Sequence, residues 1–254
     1  MKLTREGTIG VFTIDTDRNN AINVDFIREA HALMDEAERD DGIHALVVTS
    51  THRSLFCPGV DLPSLTGKSP AEMRAFYGAL TGIVRRKFAY PKPEVYALNG
   101  HTIAGGLMMA LAGDHRLIAQ GPFYVGFMEI DVAMAAPIGV VAMVQHVMGG
   151  RLAERVLFRG ERHTVEQALA LGLVDEVVER ERLMDRAMEH AALLGGKPPA
   201  AYRRLKGYAR RAMTERMAEL DAAHLDDLVE QWFSAETQAR VAAAVERMTA
   251  RTSA

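Results

Sequence analysis

Asn99-Gly100-His101-Thr102-Ile103-Ala104-Gly105-Gly106 decides how the rest of the chain is read. It follows the apolar run Glu94 to Leu98 and precedes Leu107 to Ala112, so it joins a buried strand to an apolar helix through a turn at Asn99-Gly100. The N–H groups of Gly105 and Gly106 are then first-turn donors with no acceptor inside the helix, and they carry the positive end of its dipole. Glycine at these positions lets a ligand approach the backbone closely.

Upstream, Ser54-Leu55-Phe56-Cys57-Pro58-Gly59-Val60-Asp61-Leu62 also follows a buried strand, Ala45 to Thr49. Pro58-Gly59 imposes a turn and leaves the next N–H, that of Val60, free to point at a ligand. One N–H from each segment would make an oxyanion hole if the fold brings them together. The same residues also read as an ordinary turn and a tight helix–sheet contact, and both readings stand at this stage. Downstream, Val125-Gly126-Phe127-Met128-Glu129-Ile130-Asp131-Val132 sets two carboxylates in an apolar run. If the run is extended, Glu129 and Asp131 share one face. A carboxylate in apolar surroundings has a raised pKa and is a better base near neutrality, whereas a salt-bridged or rim-exposed acid is the plainer alternative.

Around these segments strands and helices alternate. Ile9 to Ile14 reads as a strand closed by the polar cluster Asp15 to Asn20. Helical spacing runs from Asp25 to Asp40-Asp41-Gly42, and again over Pro70 to Phe88. A strand pair, His115 to Ala119 and Phe123 to Phe127, comes next. This pattern predicts βα units and a parallel sheet covered on both sides. From Gly150 the chain reads as helix after helix: Leu152–Phe158, Thr164–Leu171, Leu183–Leu194, Ala200–Met213, Ala218–Trp232 and Ala235–Met248. Only Leu173 to Val178 interrupts them as a possible strand. The organisation is an α/β core over residues 1–195 followed by a helical region over 196–254.

Composition bounds the partners. With 254 residues, 48% hydrophobic and 25% charged, the chain is long enough to bury a sizeable core. Thirty basic against 33 acidic residues leave a net charge of −3, which gives no bulk attraction for nucleic acid or an anionic membrane. The uncharged stretch Val132 to Met148 is too short to span a bilayer. One cysteine, Cys57, and an N-terminus without an apolar signal region point to a reducing, cytoplasmic setting. Phosphate-loop, zinc-protease, nucleophile-elbow and dinucleotide patterns are missing, and the nine histidines do not cluster at ligand spacing, so no metal is expected. Methionine, with 14 residues, outnumbers Phe (9) and Tyr (6).

In order and spacing, Ser54–Leu62, Asn99–Gly106, Gly113-Asp114-His115-Arg116 and the Glu129 segment resemble the crotonase (enoyl-CoA hydratase/isomerase) superfamily. The likeness begins at Asn20-Ala21-Ile22-Asn23, continues through Leu169 to Val178 and closes with Phe233-Ser234-Ala235-Glu236. It implies a ββα spiral core with a C-terminal helical trimerisation region, assembled as a trimer or hexamer. It also implies acyl-CoA thioester substrates and no separate cofactor, coenzyme A being part of the substrate. Carried over by motif, the oxyanion donors fall on Val60 and Gly105, while Ala21, Ile22, Pro58, Asp61, Leu62, Gly106 and Met108 border the substrate. The family's hydratases hold a water between two glutamates. Here the second is Glu129, but the first position is Met108, whose thioether cannot ionise. Ala104 to Leu111 followed by Glu129 is similar to mitochondrial-type Δ3,Δ2-enoyl-CoA isomerases. In those enzymes a single glutamate moves a proton from C2 to C4, here in surroundings of Phe127, Met108 and Ile130. Hydration with Asp131 standing in, and acyl-CoA binding without turnover, are the alternatives. Lys206, in the basic stretch Arg203 to Arg211, is a candidate for the CoA phosphates or else part of a solvated helix face. Phe76, Leu80 and the C-terminal helix are expected to set pocket depth, with Trp232 and Phe233 at the acyl tunnel or a subunit interface.

Overall fold

Successive strands alternate between two sheets, and this alternation positions the site. In the computed structural model, which describes residues 1–16 and 19–252, the chain opens with β1 (Lys2–Glu6), β2 (Ile9–Ile14) and α1 (Val24–Arg39). Asp17 and Arg18, within the polar cluster expected after β2, lie outside the described residues. Next come β3 (Ala45–Ser50), β4 (Leu55–Cys57), α2 (Leu62–Leu65), α3 (Pro70–Phe88), β5 (Glu94–Leu98), β6 (His101–Ile103) and α4 (Gly105–Ala112). After β7 (His115–Ala119) and β8 (Tyr124–Gly126), a 3₁₀ turn over Glu129–Val132 leads to α5 (Ile138–Met148) and α6 (Gly150–Arg159). The chain ends with β9 (His163–Thr164), α7 (Val165–Ala170), β10 (Glu176–Val178), α8 (Leu183–Gly195), α9 (Pro199–Phe233) and α10 (Ala235–Thr252).

The six-stranded sheet has the order β1-β2-β3-β5-β7-β10, parallel except for β1 against β2. The four-stranded sheet has the order β4-β6-β8-β9, with only β8 against β9 antiparallel. Thus β3–β4, β5–β6 and β7–β8 each step from the large sheet to the small one before a helix or helical turn: three ββα turns of a spiral. The expected strand pair at 115–127 is therefore divided between sheets. Residues of β2, β3 and β5 are buried on both faces, which is why they read as unbroken apolar runs. α3 begins at residue 70 because Ser69 and Glu72 form a capping box ahead of Pro70.

Two helical expectations change. Ala200–Met213 and Ala218–Trp232 belong to one helix, α9, of 35 residues. Thr214 to Met217 contain no Gly or Pro to break it, and Met217 is buried. The uncharged stretch from Val132 supplies α5, apolar because it packs against α3, α4, α6 and α9. The expected boundary at 195/196 coincides with the end of α8. Beyond it α9 lies along α3 and α5, while α10 folds back onto α2 and the Glu129 turn. Among the described residues, no helix is long and apolar enough to cross a membrane.

Candidate active site

β4, β6 and β8 are adjacent parallel strands, paired Leu55↔His101 and Cys57↔Thr102, then Thr102↔Val125 and Ile103↔Gly126. Their C-terminal ends therefore share one edge. From that edge emerge Pro58–Val60, Ala104–Gly105 and the Glu129 turn, three segments far apart in sequence. Ligands of open parallel sheets bind outside such carboxyl ends.

The first two segments touch. Gly59 has φ of +96°, and a Cβ there would stand 2.9 Å from Ala104 Cβ and 3.4 Å from the Gly105 nitrogen. Ile22 holds the first turn: its N–H donates to Gly59 O (2.8 Å) and its carbonyl accepts from Asp61 N–H (2.9 Å). That bridge leaves the Val60 N–H out. Among the described residues, no hydrogen bond uses the N–H of Val60 or of Gly105. Ala104, at φ 50° and ψ −121°, is a non-glycine residue in sparsely populated backbone space, which costs on the order of 1–3 kcal/mol. Its N–H donates to Gly126 O and its carbonyl accepts from Met108 N–H, both at 2.9 Å, so the strained turn is stitched on both sides. Gly106 is pressed onto β4, where a Cβ would come 2.4 Å from Cys57 O. His101, in the same segment, is structural: its Nδ1 accepts from Tyr124 N–H at 2.9 Å.

Glu129 opens a 3₁₀ turn, not an extended strand. Successive residues of such a turn are about 120° apart, so Glu129 and Asp131 diverge. Asp131 is exposed, with Oδ1 facing the Gly160 turn. Both carboxylate oxygens of Glu129 are buried and have no hydrogen-bond partner among the described residues. Burial pushes its pKa up to about 7, while the backbone N–H groups of Glu129 and Met128, close by but outside hydrogen-bond geometry, oppose the shift. Phe127 and Met108 are buried as expected, but Ile130 is 49% exposed and does not contribute to that desolvation.

These groups face a cavity of ≈310 Å³. Pro58, Val60, Leu62, Gly105 and Met108 line it, joined by Glu129 and Leu80. Tyr77, Met134 and Trp232 also line it, and no motif had marked Tyr77 or Met134. Phe76 lies in the core, and Phe233 is 41% exposed. Ala21, Ile22, Asp61 and Gly106 are not part of the wall; Ile22 and Gly106 support it from behind. The acids on the wall are Glu129 and Asp131, and the cations are the exposed Arg162 and Arg247. α10 closes the cavity with Ala244 and Met248.

The enoyl-CoA hydratase/isomerase family pattern matches residues 4–251. The chain belongs to that family. The human mitochondrial Δ3,Δ2-enoyl-CoA isomerase crystal structure superposes with a TM-score of 0.94 at 25% identity, covering 98% of each chain. In sequence, the human mitochondrial enoyl-CoA delta isomerase 1 is 28% identical over 211 residues, 83% of this chain and 70% of the relative. A short-chain-enoyl-CoA hydratase of Clostridium acetobutylicum is 27% identical over 212 residues, 83% of this chain and 81% of the relative. The family's chemistry, at the level of enoyl-CoA hydratase/isomerase activity, is therefore this chain's chemistry.

Other candidates fall into structural roles. Lys206, a candidate for the CoA phosphates, is buried and donates to Asp114 Oδ2 (2.6 Å) and Lys92 O (3.1 Å). Arg210 donates to the carbonyls of Phe88, Ala112 and Gly113, capping the ends of α3 and α4. Cys57 is buried and its thiol is pushed up to about 12 by desolvation, which removes it as a nucleophile. Two of the nine histidines, dispersed in sequence, do come together: His115 and His190, with Glu176, offer ligand atoms within 4.8 Å of one another.

Proposed function

We propose that this family member shifts the double bond of a 3-enoyl-CoA to the 2 position, with Glu129 as the single acid/base. One observation supports the reading: the only carboxylate on the cavity wall with both oxygens buried, among the described residues, is Glu129, and the position that the resemblance gives to a hydratase's other glutamate is the buried thioether of Met108. Asp131 is a poor substitute, because it is exposed and turned toward Gly160.

In this scheme the thioester oxygen accepts from the N–H groups of Val60 and Gly105. Each such donor contributes roughly 3–4 kcal/mol to an enolate-like transition state. The Glu129 carboxylate removes a proton from C2, and the electron pair delocalises over the C3–C4 double bond and the thioester as a dienolate. The protonated Glu129 then delivers the proton to C4, leaving the double bond between C2 and C3 and the carboxylate regenerated. A pKa near 7 suits both halves, since the group must release as readily as it takes. Pro58 and Leu62 border the thioester, with Ala21, Ile22, Asp61 and Gly106 supporting that edge. Tyr77, Leu80 and Trp232 enclose the acyl chain.

The assay is a direct comparison of two substrates. Isomerisation of a 3-enoyl-CoA should exceed hydration of crotonyl-CoA by at least a hundredfold in kcat/KM. Comparable or faster hydration would overturn the assignment. We further propose that residues 196–254 serve assembly into a trimer or a dimer of trimers, since α9 presents Leu205 (69% exposed) and Tyr208 (72% exposed) outward. A monomer mass by light scattering would contradict this.

A further inference from the structure

The cluster at the opposite end of α4 from Glu129 has a chemistry the acyl-CoA reaction does not use. His115 starts β7, Glu176 starts β10, and His190 lies on α8, so three elements converge there. The imidazole rings of His115 and His190 are 4.0 Å apart, and His190 Nε2 lies 3.0 Å from Glu176 Oε2. Nδ1 of His115 faces Asp175 Oδ2 at 3.6 Å. Its other nitrogen, Nε2, is buried and has no hydrogen-bond partner among the described residues. A buried ring nitrogen without a partner is costly in a finished core and is the lone pair a cation needs.

We propose that His115, Glu176 and His190 bind one divalent cation of the zinc class. Two imidazoles and one carboxylate suit zinc rather than magnesium or calcium, which take oxygen ligands. The three ligand atoms lie within 4.8 Å, and zinc draws such atoms to about 3.4 Å of one another. Side-chain rotation covers the difference, because the three side chains are 24%, 31% and 18% exposed and so retain room to move. The surroundings match an outer shell. Asp175 stands behind His115, and Arg186 Nε donates to both oxygens of Glu176, Oε1 at 2.9 Å and Oε2 at 3.2 Å, so a cation on Oε2 shares that oxygen with the weaker of the two bonds. On loading, the Nε2 proton of His190 moves to Nδ1 or to solvent, and Nε2 takes the metal in place of its bond to Glu176.

The bound ion would tie α8 to the edge of the large sheet, so stability and metal content report on it. The full chain, treated with a chelator and titrated with zinc chloride, should bind one zinc per chain with micromolar affinity or tighter and should melt at a higher temperature. His190→Gln should lose about tenfold or more in affinity, together with the melting shift. His224→Gln, which removes an exposed histidine on α9, should retain both. Failure of the wild type to bind, or wild-type binding by His190→Gln, would overturn the site. Should His190→Gln not fold, cobalt(II) added to the wild type decides: broadening of the His115 and His190 imidazole resonances supports the site, and broadening confined to other histidines refutes it.

Discussion

At its C-terminal end α4 runs into buried charges that answer one another; at its N-terminal end it faces one that nothing answers. Beyond Ala112, Asp114 accepts from Lys206 and from the Glu94 N–H and forms an ion pair with Arg210, while Glu94 Oε1 accepts from Lys87 at 3.1 Å and its Oε2 has no hydrogen-bond partner among the described residues. Lys87 also lies 5.4 and 5.5 Å from the ring centres of Phe12 and Tyr96. Beside Gly105, by contrast, the buried carboxylate of Glu129 has no hydrogen-bond partner among the described residues, and backbone N–H groups are left open there. Both ends bury carboxylates, but only one compensates them. The compensated end serves folding, and the uncompensated end leaves a carboxylate with a raised proton affinity, as the proposed base requires.

Breaking the compensated end should have the largest effect on stability. Lys87→Met leaves Glu94 with no cation in direct contact, and urea unfolding at pH 7 should report a loss of about 3–5 kcal/mol. A loss below about 1 kcal/mol would mean that Glu94 reaches water or another cation. At the other end, the same kind of change should have the opposite sign. The pKa of Glu129 is raised from 4.5 to about 7, so its contribution to stability is fully present below pH 4.5 and is lost as pH rises through 7. Glu129→Gln should therefore be more stable than the wild type above pH 8, by up to about 3 kcal/mol, with the difference shrinking toward pH 5. A difference that stays constant with pH would show that the Glu129 pKa is ordinary.

Much of this contrast was legible in the sequence, for physical reasons that differ by element. The buried strands β2, β3 and β5 and the helix α3 announce themselves because apolar runs and helical spacing are local signals, while the capping box that starts α3 emerged only from the structure. The turns carrying Val60 and Gly105, and the acid at Glu129, stood out because glycines beside strand ends and a carboxylate in an apolar run are unusual. β4 and β6 did not, since three residues are too few to show a period. Asp131 was misplaced beside Glu129 because a 3₁₀ turn and an extended strand read alike over four residues. Lys206 looked like a solvated cation until Asp114 closed over it, and Tyr77 joined the cavity only through the packing of α3. His115 and His190 meet solely because β7 and α8 do. The methionine excess mostly fills the core, where a flexible thioether packs readily, but Met108 lines the same cavity as Glu129.

The kinetics of Glu129→Gln on a 3-enoyl-CoA test the single-base assignment most directly. The amide nearly preserves the volume of the side chain but cannot take a proton from C2. A folded variant that binds acyl-CoA as the wild type does should retain less than about 1% of the wild-type kcat, since general-base catalysis contributes about 10²–10⁴-fold. Isomerisation within tenfold of the wild type would contradict it and move the base elsewhere.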